Sequence, residues 1–226
     1  MSQNVLTDLI DLLDQKMYAA KDDEKAVNMA KYLKDRFVCY GIKSPVRNEI
    51  QRAWFNEVKK HDINHWDLIY NLWAKDQREY HYIAVDYLNK LPVKEIEKND
   101  YKKIEELITT NSWWDSVDSI ASNFTGKYFR KYPEMKKKVI VRWRNSDNMW
   151  LNRTTLIFQL KYKDDVDFEL LKDLILQFQP VKEFFIQKAI GWSLRQYSKY
   201  NPAAVKDFVK TLDLSTVAKR EAYKYI

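Results

Sequence analysis

Apolar residues recur along this chain at helical spacing. Val5, Leu9, Leu12 and Leu13 fall on one face of an N-terminal segment, with Asp8, Asp11 and Asp14 beside them, which predicts an amphipathic helix. A second helix is expected over Asp23–Cys39, ending before Gly41 as a C-cap, with Pro45 opening the next helix and Tyr40–Pro45 as the turn between. Beyond this the pattern reads as helix pairs joined by polar connectors. These fall at Lys60–His65, Lys90–Val93, Thr109–Ser112, Tyr132–Pro133, Asn145–Asn148, Lys163–Asp167, Gln179–Lys182 and Tyr200–Pro202. Alternation of period two is sparse; Val139–Arg142 reads either way, between strongly helical neighbours. With 3 Gly and 5 Pro, the chain lacks the turn residues a β-sandwich needs, so the expected fold is all-α.

A faint repeat underlies the pattern. Asp76, Asn111, Asp147 and Lys182, at intervals of 35, 36 and 35, each precede a helical segment: REYHYIAVDYL, SWWDSVDSIA, MWLNRTTLIFQL and FFIQKAIGWSL. That spacing suits stacked helix pairs with a concave face able to wrap a long partner. Residue identities agree weakly between repeats, so a duplicated helical bundle is the alternative. No linker interrupts the pattern, and one domain over residues 1–226 is expected.

Charge narrows the class of partner. Lys and Arg exceed Asp and Glu by 7 and the pI is near 9.1, a balance that favours phosphate polymers, although many basic proteins bind none. No run of 18 apolar residues offers a membrane span. The opening MSQNVLTDLIDLLDQK does not read as a signal peptide, and the single Cys39 cannot form an internal disulfide, so a reducing cytoplasm is expected. The 8 Trp, 15 Tyr and 10 Phe mostly fill the core, while a few Trp are candidates to line a site for a cation, base or sugar.

The segment Ser112-Trp113-Trp114-Asp115-Ser116-Val117-Asp118 carries the densest candidate chemistry. Trp114 and Asp118 share a helix face, and Asp115 lies three residues before Asp118. Trp113 reads as core packing and Asp115 as a helix-start acid favoured by the dipole. The next repeat supplies Trp150-Leu151-Asn152-Arg153 and the one after it Gly191-Trp192. If equivalent positions lie side by side, Trp114, Asp118, Arg153 and Trp192 meet in the groove; alternatively Arg153 is a salt bridge joining two repeats. His61 and His65 have i, i+4 spacing without a third ligand, so surface histidines and no metal are expected. His81 reads as structural, Lys136-Lys137-Lys138 as a solvated face, and Cys39 as buried packing.

These stretches resemble the AlkD-like DNA alkylation repair glycosylases, built from HEAT-like helical repeats. The similarity rests on SWWDSVD at 112–118, SDNMWLNR at 146–153, FQLKYK at 158–163 and KEFFIQKAIGW at 182–192, with AKYLKDRF and GIKSP earlier. The resemblance implies a superhelical solenoid with a concave DNA-binding groove. It places the catalytic aspartate at Asp118, the two sugar-facing tryptophans at Trp114 and Trp192, an arginine near the lesion backbone at Arg153 and a groove tyrosine at Tyr32. Arg47, Lys161, Lys163 and Arg195 are candidates for phosphate contacts. Asn48 departs from the pattern, because a basic residue is common there. The implied activity is monofunctional hydrolysis of the N-glycosidic bond of cationic N3- and N7-alkylated purines in double-stranded DNA, leaving an abasic site. It requires no cofactor and no obligate protein partner, and a monomer is the simplest state. The alternatives are a catalytically silent DNA-binding repeat protein and a protein-binding scaffold.

Overall fold

A computed structural model describes residues 2–225, and these divide into two compact units on either side of the Lys90–Leu91 boundary. Among the described residues there is no strand ladder; the one β-type pairing is an isolated bridge between Val38 and Gln77. No described helix is long and apolar enough to cross a membrane.

Residues 1–90 form five helices: α1 (Ser2–Ala19), α2 (Asp23–Tyr32), α3 (Ser44–Val58), α4 (His65–Trp73) and α5 (Arg78–Lys90). The buried stripe of α1 is Leu6, Leu9, Ile10, Leu13 and Met17, with Val5 and Leu12 at its margin. The stripe packs on α3, where buried Trp54 donates its indole N–H to the Leu9 carbonyl at 2.7 Å. Asn64 caps α4 by accepting the amides of Trp66 and Asp67, and Pro45 stands in the first turn of α3 as expected.

The expected helix over Asp23–Cys39 stops seven residues early, at Tyr32. Lys34 and Asp35 turn left-handed, at φ 60° and 55°, and the chain runs on as a loop. Local bonds close the helix there: the Lys34 amide donates to the Lys31 carbonyl at 3.0 Å and the Asp35 amide to the Ala30 carbonyl at 2.8 Å. Further along this loop, the fully buried carboxylate of Glu79 accepts the amides of Tyr40, Gly41 and Ile42 at 3.1, 2.9 and 3.0 Å, which satisfies donors that no helix pairs. Gly41 is therefore a crossing point and not a helix cap. Its φ is +83°, and a Cβ there would lie 2.1 Å from the Asp22 carbonyl oxygen.

Residues 91–226 hold α6 (Asp100–Thr109), α7 (Trp114–Ser119), α8 (Gly126–Lys131), α9 (Pro133–Arg144), α10 (Met149–Ile157), α11 (Phe168–Phe178), α12 (Phe184–Tyr197), α13 (Pro202–Val209) and α14 (Thr216–Ala222). A π-helical stretch, Ile120–Thr125, joins α7 to α8. Val139–Arg142 lies inside α9, so the ambiguous segment is helical. The starts of α5, α7, α10 and α12, at Arg78, Trp114, Met149 and Phe184, reproduce the periodicity read from the sequence.

Cross-links one repeat apart hold this second unit in register. Glu105 on α6 accepts Arg142 at 2.7 Å and the Trp143 indole N–H at 2.8 Å, and Lys136 reaches Asp167 at 3.1 Å. Phe124, Tyr128, Trp143, Phe158, Leu174, Ile190 and Leu194 are among the residues that fill the core between the helices.

Candidate active site

Trp114 opens α7 and Asp118 follows one turn later, so both side chains leave the same face. Trp113, one residue earlier, is extended, and its ring turns inward. It packs edge-on against Trp150 at 5.8 Å and Phe185 at 5.3 Å, and forms a buried aromatic wall as the core-packing reading expects. Asp115 accepts the amide of Ser116 at 2.8 Å, in keeping with a first-turn acid.

Arg153 arises from the next repeat, on α10. Its Nε donates to Asp118 Oδ1 and its Nη2 to Oδ2, both at 2.7 Å, in a two-pronged pair. Nη1 donates to the Phe185 carbonyl on α12. The arginine thus ties three helices together and also faces the cleft, so the two readings open in the sequence describe one residue. The Arg153 side chain is 4% exposed and that of Asp118 13%. Burial raises the Asp118 carboxyl above its ordinary value, the Arg153 guanidinium opposes that rise, and nearby Asp115 adds to it. A carboxylate offers about four acceptor positions, and the two-pronged pair occupies two, so Asp118 keeps capacity toward the cleft.

Helix α12 supplies the opposite wall. Lys188, Trp192 and Arg195 share one of its faces, and all three line an open cleft of about 410 Å³ with Trp114, Asp118, Arg153, Phe184, Phe185 and Glu221. Glu221, on α14, accepts Lys188 at 2.8 Å and also pairs with Arg195. Its carboxyl is held below the ordinary value, by Lys188 foremost and Arg195 as well, against an opposing burial effect.

The structure therefore gathers Trp114, Asp118, Arg153, Trp192 and Arg195 into one cleft. Arg195, expected as a phosphate contact, carries a carboxylate partner there. Lys161 and Lys163 belong to the same unit but not to the cleft lining: Lys161 bonds the Asn123 side chain in the π-helical stretch, and Lys163 is exposed at the start of a 3-10 turn. Tyr32 and Arg47 belong to residues 1–90. Tyr32 is exposed on a groove that Lys25, Lys43 and Tyr82 also line, and the Arg47 guanidinium lies 4.6 Å from the Tyr82 ring centre. Four lining residues escaped the sequence reading. Phe184, Phe185 and Lys188 sit inside the stretch that contains Trp192, and Lys188 is one turn before it; Glu221 carries no local signal.

Among the described residues, no group of three or more His, Cys, Asp or Glu converges as a metal site. His65 Nδ1 is 2.8 Å from the Tyr87 hydroxyl, so it is engaged in packing rather than free on the surface. His81 is buried; its Nδ1 faces Arg78 Nη1 at 3.2 Å and its Nε2 faces the Lys75 carbonyl at 2.9 Å. Arginine is a donor and a carbonyl an acceptor, which fixes the neutral Nε2–H tautomer and a structural role.

The charge is unevenly shared. Residues 1–90 hold fourteen cationic and fourteen anionic side chains, so the entire excess of 7 lies in residues 91–226, the unit with the cleft.

A family described as "DNA alkylation repair enzyme" matches residues 13–226. Among solved structures, a predicted DNA alkylation repair enzyme from Enterococcus faecalis is 34% identical, with a TM-score of 0.83, over 91% of this chain and 96% of its own. AlkD2 from Streptococcus mutans is 19% identical, with a TM-score of 0.60, over 79% of this chain and 89% of its own. The protein smu.31 from Streptococcus mutans UA159 is 18% identical, with a TM-score of 0.60, over 79% and 92%. These last two likenesses speak to the fold alone. No curated protein matches.

Proposed function

The chain belongs to the DNA alkylation repair enzyme family, and from that premise we propose that it is a monofunctional DNA glycosylase for purines already cationic through N3 or N7 alkylation. The observation that carries the reading is an anchored carboxylate, Asp118, in a cleft that Trp114 and Trp192 also line.

Alkylation at N3 or N7 gives the base a positive charge, so it leaves with the electron pair of the C1′–N bond and needs no proton. The positive charge passes to the deoxyribose as an oxocarbenium ion. Negative potential beside the sugar is then what the protein must add. A unit charge pair at about 4 Å in an effective dielectric of about 20 is worth roughly 4 kcal/mol, a ceiling that Arg153 lowers for Asp118. Only the part gained between ground and transition state accelerates the reaction. The indole faces of Trp114 and Trp192 add roughly 0.5–2 kcal/mol each against a cation within about 6 Å. Asp118 also accepts the proton of the attacking water, and the product is an abasic site. An ordinary purine, which leaves as an anion, gains too little from this arrangement to react, which accounts for selectivity. In this reading the recurring helix pairs are HEAT-like repeats, and the excess positive charge serves phosphate contact.

Duplex DNA carrying one 7-methylguanine tests the proposal by release of the free base. Wild-type protein is expected to release it, and Asp118→Asn to lose at least a hundredfold in rate while still folding and binding duplex. Absence of release from any cationic lesion, under conditions where the duplex is bound, would favour the silent DNA-binding reading instead.

A further inference from the structure

The cleft contains a charge problem. Arg153, Lys188 and Arg195 line it as cations, and Asp118 is already paired with Arg153. Phosphate binding benefits from Lys188 and Arg195, but a cationic base and an oxocarbenium sugar are repelled by them. A second carboxylate is present where it would resolve this conflict: Glu221, on α14, touches both cations of α12.

Its placement is specific. Helices α12 and α14 meet at Gly191, where an added Cβ would stand 2.6 Å from Glu221 Cβ and 2.7 Å from the Ala218 carbonyl oxygen. The missing side chain lets α14 press against α12 one residue before Trp192. Glu221 thereby lies between Lys188, one turn before Trp192, and Arg195, one turn after it. Held below its ordinary value, the Glu221 carboxyl stays ionised at neutral pH. The five ionised groups of the cleft then sum to one positive charge instead of two.

We propose that Glu221 is a positioning and charge-balancing residue: it holds Lys188 and Arg195 at the cleft rim for phosphate while cancelling enough of their field for a cationic sugar to form between Trp114 and Trp192. This rests on the glycosylase reading. It predicts an unusual split, in which removal of the carboxylate improves DNA binding and impairs both recognition of a cation and excision.

The test compares binding of two duplexes, one with a cationic pyrrolidine in place of the lesion sugar and one with its neutral tetrahydrofuran counterpart, alongside single-turnover release of 7-methylguanine. Glu221→Gln is expected to bind the tetrahydrofuran duplex about threefold more tightly. Its preference for pyrrolidine over tetrahydrofuran should fall about fivefold, and its excision rate by a similar factor. Glu221→Asp should recover part of the preference. Lys188→Gln should shift the preference the opposite way, which keeps the idea testable if the Gln variant folds poorly. Equal weakening of both duplexes with an unchanged preference would show a merely structural residue and overturn the proposal, as would no change in either. Wild-type release of 7-methylguanine reports separately on the glycosylase reading; its failure would leave the binding ratio to judge the charge balance.

Discussion

Asp118 and Arg153 form the pair on which the site turns, and the pair is shielded enough for its energetics to be consequential. Excision in the proposed mechanism needs the carboxylate, so the rate should be full above the Asp118 pKa and fall about tenfold per pH unit below it. Burial puts that inflection above the ordinary aspartate value near 3.9. Arg153→Met removes the interactions that restrain the rise, so its inflection should move further up. The unpaired carboxylate should also cost on the order of 3 kcal/mol at neutral pH. Because a raised folded-state pKa means that the folded protein holds the proton longer, this loss should ease as pH falls through that value. Single-turnover rates against pH, with urea unfolding at matched pH, measure both effects. The same inflection in both proteins would rule out Asp118 as the titrating group. At this scale the sequence was informative where chemistry follows from spacing: Trp114 and Asp118 sit one helical turn apart, and Trp113 falls to the core as expected. It was silent on Glu221, because a lone glutamate near the end of the chain becomes part of a site only through the packing of α14 on α12.

The α12–α14 contact is the element on which the opposite wall depends. Gly191→Ala would put a methyl group within 2.7 Å of a backbone carbonyl oxygen and within 2.6 Å of Glu221 Cβ, so the two helices must separate. Overpacking of this kind costs roughly 1–3 kcal/mol. The displacement also moves Glu221 relative to Lys188 and Arg195. A lower melting temperature together with slower 7-methylguanine release is expected, and a variant as stable and as fast as wild type would show that α14 yields freely. Element boundaries were legible where a local signal marks them. Asn148 caps α10 and Pro202 opens α13 at the connectors read from the pattern. The α2 boundary was not legible, because Lys34 and Asp35 turn left-handed there without a glycine or proline to mark the end. The π-helical stretch after Asp118 was not legible either, because Ser122, Asn123 and Gly126 carry turn chemistry where the chain in fact stays helical.

On the scale of the chain, the recurrence of helix starts near every 35 residues was visible in the sequence because each repeat must bury the same face against its neighbours. The placement of charge was not visible in the net value, since +7 describes a uniform coat as well as a concentrated one. Its concentration in residues 91–226 makes a specific electrostatic prediction. Lys161 and Lys163 lie in that unit outside the cleft lining, and a lysine that meets a phosphate contributes about 0.9 to the slope of log affinity against log salt. Replacing each with Gln should lower the measured slope by about that amount, and replacing both by about twice as much, if both meet phosphate. Such contacts hold ground state and transition state alike, so the loss should fall on the enzyme concentration needed for half-maximal excision and much less on the plateau rate. Fluorescence anisotropy between about 50 and 200 mM salt measures the slope, and single-turnover excision over a range of enzyme concentrations measures the split. A changed plateau with an unchanged slope would instead mean that these lysines act on the lesion, and the excess charge of this unit would need another partner than the DNA backbone.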